Sequence, residues 1–180
     1  MFVWVSFGEA ENPQKRCFCI DVTSDNLLDA VRQTVEDETL SHIKRRDAEL
    51  TAELREAVAE ELPLSTKVAR FEALQEPTPL EMLATLESAR TRKAAAERQL
   101  ELLHAALPKF KGLGHCDIDL IEPGSGTQQK LASNLRKRAV ALLRAGSTYE
   151  AAHLDKNPSG PPTSTPLVFS VAVGGAQPSA

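Results

Sequence analysis

The chain has 180 residues, 42% of them hydrophobic, which is enough for one domain of ordinary size with a core of its own. Its formal net charge of −4 gives no overall attraction for nucleic acid or for an anionic membrane. It shows no charged-then-apolar leader with a cleavage site and no apolar run near the roughly 20 residues of a spanning helix, so a soluble intracellular protein is expected.

Residues 2 to 7 alternate, with Phe2, Trp4 and Ser6 on one side and Val3, Val5 and Phe7 on the other, which is the period of a strand. Gly8 ends it, Asn12-Pro13 makes a turn, and the alternation resumes from Arg16 to Val22, predicting a β-hairpin. Phe2 and Trp4 stand opposite a pair of cysteines where a solvated face would carry charges, so a cover over that face is expected. Thr23, Ser24 and Asp25 offer N-cap oxygens ahead of Leu27, Leu28, Val31 and Val35, which have helical spacing. The same pattern runs through Leu40, Ile43, Leu50, Leu54 and Ala57 to Pro63, longer than is needed to cross a small sheet, and the helix is expected to leave the domain. A shorter amphipathic piece, Leu64, Val68, Phe71 and Leu74, then stops at the QEPTP breaker.

Thr78, Pro79 and Glu81 start a further helix. Its seam of Met82, Leu86, Ala89, Lys93, Ala96, Leu100, Leu103 and Leu107 keeps a heptad register, with Lys93 the one residue out of place. Between Thr34 and Leu107 there are 15 acidic and 10 basic residues, as in a solvated antiparallel hairpin that binds by its seam or tip. Pro108, Gly112 and Gly114 close the segment. The return stretch alternates Ile118 and Leu120 with Asp117 and Asp119, which are expected on a solvent face. It continues through a PGSG turn into a second helix carrying Leu131, Leu135, Val140, Leu142 and Leu143, and ends in a strand from Ser147 to Leu154. Beyond Asp155 four prolines in eleven residues forbid a packed element, yet Leu167, Val168, Phe169, Val171 and Val173 are β-prone, and a strand donated to a partner's sheet edge would account for them.

This order of strands and helices is that of an α+β chain, a β-grasp split by a long, coiled-coil-like helical hairpin. The head comes from residues 1–33 and 116–155, the insertion from 34–115, and an extended tail from 156–180. Cys17-x-Cys19 with His115-Cys116 is the one metal-like set; it lacks the C-x2-C knuckle, and buried thiols packed under the insertion explain it more simply, so no metal is expected. The GSGT turn at Gly124–Thr127 lacks the Lys and Ser or Thr of a phosphate loop, so no cofactor is expected either. His42, His104, His115 and His153 are scattered, with no nucleophile and carboxylate at a catalytic spacing, and the chain is expected not to be an enzyme. Lys130, Arg136, Lys137, Arg138 and Arg144 put five positive charges and no acid into fifteen residues, either a solvated helix face or a docking face for a negative partner such as tubulin.

The opening MFVWVSFG, the segment CDIDLIEPGSGTQQKLASNL and the run AVALLRAGSTYEAAHL resemble the small ubiquitin-like proteins of ciliated organisms, over about half the chain. The resemblance implies a non-enzymatic structural subunit of the axoneme of cilia or flagella, in the cytoskeleton; within the axoneme the central-pair apparatus is the expected place. Its partners would be other axonemal proteins in a large complex, with tubulin a further candidate through the basic helix. The chain departs from that family in its insertion from Thr34 to Leu107 and in Trp4, where a polar residue is common. Gly174-Gly175 is followed by AQPSA and offers no free end for conjugation. The residues expected to meet partners are Phe2 and Trp4 on the sheet, Met82, Leu86 and Leu100 on the hairpin seam, Lys130, Arg136, Lys137 and Arg138 on the basic helix, and Leu167, Phe169 and Val171 in the tail. Two other roles fit the same features: a soluble adaptor outside cilia that dimerises through its coiled-coil arm, and a protein of the doublet-microtubule lumen.

Overall fold

The computed structural model describes residues 1–114, 117–155 and 163–171. It is a mixed α+β structure with a mixed sheet and a long helix, and the sheet does not close into a barrel. The chain divides into two compact units, one of Met1–His42 with Ala106–Ser170, here the head, and one built on Ile43–Ala105, here the arm.

In the head, β1 (Phe2–Glu9) and β2 (Gln14–Cys19) form the expected antiparallel hairpin, with Phe2 opposite Cys19 and Trp4 opposite Cys17. The pleat sends Val3, Val5 and Phe7 into the core and Phe2 and Trp4 to the other face. Strand β3 (Ile118–Ile121) runs antiparallel to β4 (Thr148–Asp155), and β4 lies parallel to β1, giving the order β2-β1-β4-β3. Helix α1 (Ser24–Ala73) follows the hairpin. Thr23 caps it, its Oγ1 accepting from the Asn26 N–H at 3.4 Å, and Leu27, Leu28, Val31 and Val35 are buried in the head core.

The second helix expected over Leu131–Leu143 does not form; the segment holds only a 3₁₀ turn at Ala139–Ala141. Its carbonyls serve elsewhere: Leu135 and Lys137 accept from the Asp25 and Ser24 N–H groups, donors at the start of α1 that have no partner within the helix. Ala139 and Val140 in turn donate to the Val22 and Ile20 carbonyls, and Asn134 Nδ2 donates to the Lys130 carbonyl. A backbone spent on capping α1 and closing local turns is not available for a helical ladder. Lys130, with φ of 58°, already lies outside helical space.

The tail also departs from expectation. Residues 163–169 form β5 (Thr163–Pro166), antiparallel to β4, and β6 (Val168–Phe169), parallel to β1. Leu167 bridges the two: its N–H donates to the Ala151 carbonyl at 2.8 Å and its carbonyl accepts from Gly8 at 3.0 Å. The segment thus fills the gap where β1 and β4 diverge. Gly8, at φ +92°, makes the exchange possible, because a side chain would be strained where β1 leaves β4 and takes up β6. Leu167 and Phe169 are buried in the head, so this part of the strand expected for a partner is placed in the chain's own sheet; Val171 is buried too, but lies in no strand. Val173 and the prolines before Thr163 lie outside the described residues.

The arm holds the remainder of α1 and α2 (Leu80–Ala106). Ion pairs Asp47–His104, Glu60–Arg92 and Glu61 with Arg90 and Lys93 fix the two helices antiparallel. Ile43, Leu50 and Ala57 on α1, and Leu86, Ala89, Ala96 and Leu103 on α2, are buried at heptad spacing. Lys93, out of place in the sequence pattern, reaches Glu61 Oε2 at 3.0 Å while Arg90 holds Oε1 at 3.2 Å. The Lys93 hydrogen bond chiefly holds the Glu61 carboxyl below its usual range, with Arg90 assisting. Pro63 does not break α1 as expected, because it lies exposed outside the seam and the Ala59 carbonyl it leaves without an N–H partner can meet water. Just beyond it, Ser65 and Thr66 hydroxyls both donate to the Leu62 carbonyl at 2.9 Å.

Candidate docking surfaces

The outer face of the β1–β2 hairpin is open among the described residues, against the cover expected for it. Phe2 is 58% exposed and Trp4 44%. Cys19 and Cys17, both free and exposed, stand across from Phe2 and Trp4, and Lys15 across from Ser6. On the other flank Thr148 pairs with Trp4 and Glu150 with Ser6. An aromatic pair with small neighbours and a rim of Lys15 and Glu150 has the make-up of a protein-docking patch, whose energy concentrates in buried aromatic anchors. The indole of Trp4, the sole tryptophan, is expected to emit as a solvent-exposed group and to be quenched by iodide. Trp4→Ala should leave the thermal midpoint within about 3 °C, because the side chain contributes little to the core. A midpoint drop of 10 °C or more in a melting curve would show that this face is packed.

The other residues expected to meet partners are distributed differently. Leu86 is buried and Met82 and Leu100 are half-buried on the seam side of the arm, so the seam is already used within one chain. The arm exposes Leu74, Leu80 and Leu83 around its turn, Val58 and Leu62 on α1, and Leu102 on α2. Lys130, Arg136 and Lys137 are exposed, but on an irregular loop and not on a helix face. Arg138 is held by Asp21, whose Oδ1 accepts at 2.7 Å and whose carbonyl accepts at 3.1 Å.

Asp119, expected on a solvent face, is buried, and sequence reasoning missed it. Its Oδ1 accepts the Leu120 N–H at 2.8 Å and the Leu131 N–H at 3.1 Å, which ties the loop after β3 to the sheet. Burial pushes this carboxyl above the usual aspartate range, and the backbone N–H groups of Leu120, Leu131 and Lys130 pull the other way without overcoming it. The GSGT turn closes on itself: Ser125 Oγ accepts from the Thr127 N–H, and the Gly126 N–H donates to the Glu122 carbonyl. A cleft of about 470 Å³ on the head is lined by Lys109, Lys111, Asp117, His153, Asp155 and Thr165. Its Asp155 carboxylate is already engaged by His153 Nδ1 at 3.2 Å and by the Thr165 hydroxyl at 3.1 Å.

Among the described residues no three His, Cys, Asp or Glu side chains gather as metal ligands, and His115 and Cys116 lie outside those residues. No described helix is long and apolar enough to cross a membrane. Comparison with protein-family models, with curated proteins and with solved structures finds no match to the chain.

Proposed function

We propose that the chain is a non-enzymatic structural subunit of the ciliary or flagellar axoneme, most directly of the central-pair apparatus, with a β-grasp head split by a helical-hairpin insertion. The head reading is supported by the hairpin followed by a helix, by the parallel pairing of β1 with β4, and by the 3₁₀ turn that precedes β4. The observation that carries the docking role is the exposure of Phe2 and Trp4 side by side on a regular sheet, since an isolated soluble domain gains nothing from two open aromatics there. Leu74, Leu80 and Leu83 at the arm's turn add a second apolar surface, and Lys130, Arg136 and Lys137 a basic one suited to an acidic neighbour such as tubulin. An adaptor that dimerises through its arm is less well supported, because the heptad seam is filled by the arm's own two helices.

Proximity labelling from this protein in a ciliated cell tests the assignment. Axonemal neighbours are expected to be enriched, and Trp4→Ala to deplete a subset of them while the protein level holds. A neighbour list confined to the cytosol would refute the axonemal role.

A further inference from the structure

Strand β2 lies at one end of the sheet order, paired with β1 and with no other described strand. The hydrogen-bond pattern says which of its groups are open. Ile20 N donates to the Met1 carbonyl, so the even residues of β2 face β1. On β1 itself, Phe2 and Trp4 turn their backbone to the far side, toward Gly146 and Ser147. The N–H and C=O groups of Lys15, Cys17 and Cys19 therefore point outward along the free edge, where the Lys15 carbonyl takes only a 3.4 Å contact from Arg16 Nη1. Their side chains lie on the same face as Phe2 and Trp4. Among the described residues no proline, bulge or covering segment blunts this edge, and of the residues whose backbone faces it only Lys15 is charged.

The geometry points to a second copy of this chain as the occupant: two β2 strands pair antiparallel about a two-fold axis through Cys17. An isologous contact needs a register in which the strand complements itself, and the sequence QKRCFC allows one. An axis at Lys15 or Arg16 would set like charges face to face. An axis at Phe18 or Cys19 would carry the pairing into Asp21, whose carbonyl and carboxylate are already held by Arg138. An axis at Cys17 opposes Lys15 to Cys19 and Arg16 to Phe18, so no charge meets its like and each cation lies near an aromatic or a thiol. It joins the two Phe2/Trp4 faces into one apolar strip across both copies. This association does not depend on the axonemal assignment.

The register gives a sharp test. Paired Cys17 Cα atoms lie about 5.5 Å apart, within disulfide reach, whereas Cys19 Cα atoms lie about 14 Å apart, four residues of strand rise. In a Cys116→Ser background, diamide, which takes up the two electrons and two protons that two thiols release, should cross-link a Cys19→Ser chain through Cys17. It should leave a Cys17→Ser chain monomeric on non-reducing gels. In sedimentation the unmodified protein should show a concentration-dependent dimer. Cys17→Pro removes two inter-copy hydrogen bonds without touching the β1–β2 ladder, and should weaken the dimer roughly tenfold or more. Cys17→Asp, which sets two carboxylates together at the axis, should act in the same direction with an unchanged circular dichroism spectrum, and it decides the matter if the proline variant fails to fold. A protein that stays monomeric at several hundred micromolar, a dimer that survives Cys17→Asp, or equal cross-linking through Cys19 would each overturn the proposal.

Discussion

Asp119→Ala is expected to destabilise the head by about 2–6 kcal/mol in urea unfolding, because it leaves the Leu120 and Leu131 N–H groups buried without an acceptor, at roughly 1–3 kcal/mol each. That is a large share of the roughly 5–15 kcal/mol by which a domain of this size is stable. Asp119→Asn keeps an oxygen in place of Oδ1 and should lose less than the alanine variant. The pH dependence has a definite sign. Burial raises the folded carboxyl above its unfolded value, so between those two values the native state holds the extra proton and stability falls as pH rises. The wild-type advantage over Asp119→Asn should therefore grow as the pH is lowered from neutral toward about 4, the unfolded aspartate range. Glu61 has the opposite slope, since its folded carboxyl is depressed and its contribution is lost on acidification, but it is common to both proteins and cancels in the comparison. An advantage that shrinks on acidification would mean that the backbone N–H groups outweigh burial at this site.

The parts of this fold legible in the sequence are those fixed by local pattern. Alternation at Val3, Val5 and Phe7 and the four-three spacing from Met82 to Leu103 each mark the buried side, because strand and helix periods are geometric. The cap of α1 is legible as one of Thr23, Ser24 and Asp25, and the structure uses Thr23. The basic segment misleads because apolar residues spaced by four also occur in a ribbon that anchors at intervals. Leu131, Ala139 and Leu143 are all buried with no helix between them. What decided that region was the demand of α1 for acceptors at its first turn, a partner more than a hundred residues away. Asp119 misleads for a related reason: in an alternating strand an acid signals solvent, and only the Leu131 segment folded over it reverses the sign. Its neighbours Ile118, Leu120 and Ile121, all buried, were the available hint that both faces of β3 are covered.

The second large effect lies in the tail, where two accounts of the same residues separate cleanly. If Leu167 and Phe169 were held for another protein's sheet, Phe169→Ala would leave the isolated chain as stable as before and weaken only its association. The structure instead puts Phe169 edge-on to Phe110, with centroids 5.7 Å apart, and 6.3 Å from the ring of His42, which in turn bonds Glu9 at the end of β1 at 2.9 Å. Its carbonyl accepts from Ala10 at 2.8 Å, so side chain and backbone lock the far end of β1 together. Phe169→Ala should accordingly cost about 3–5 kcal/mol in chemical denaturation of the purified protein, the usual range for emptying a buried aromatic site. Ending the chain at Asp155 should do more, since it bares the Gly8–Ala10 edge of β1 and the Ala152–Asp155 edge of β4 at once, two open strand edges beside an uncovered Phe110. That truncated protein is expected to aggregate on heating and to bind a hydrophobic dye at room temperature. A chain ending at Val171 keeps every β5 and β6 pairing and serves as the control. Equal stability of the two truncations would place the tail outside the fold and return Leu167 and Phe169 to the surface as strands for a partner.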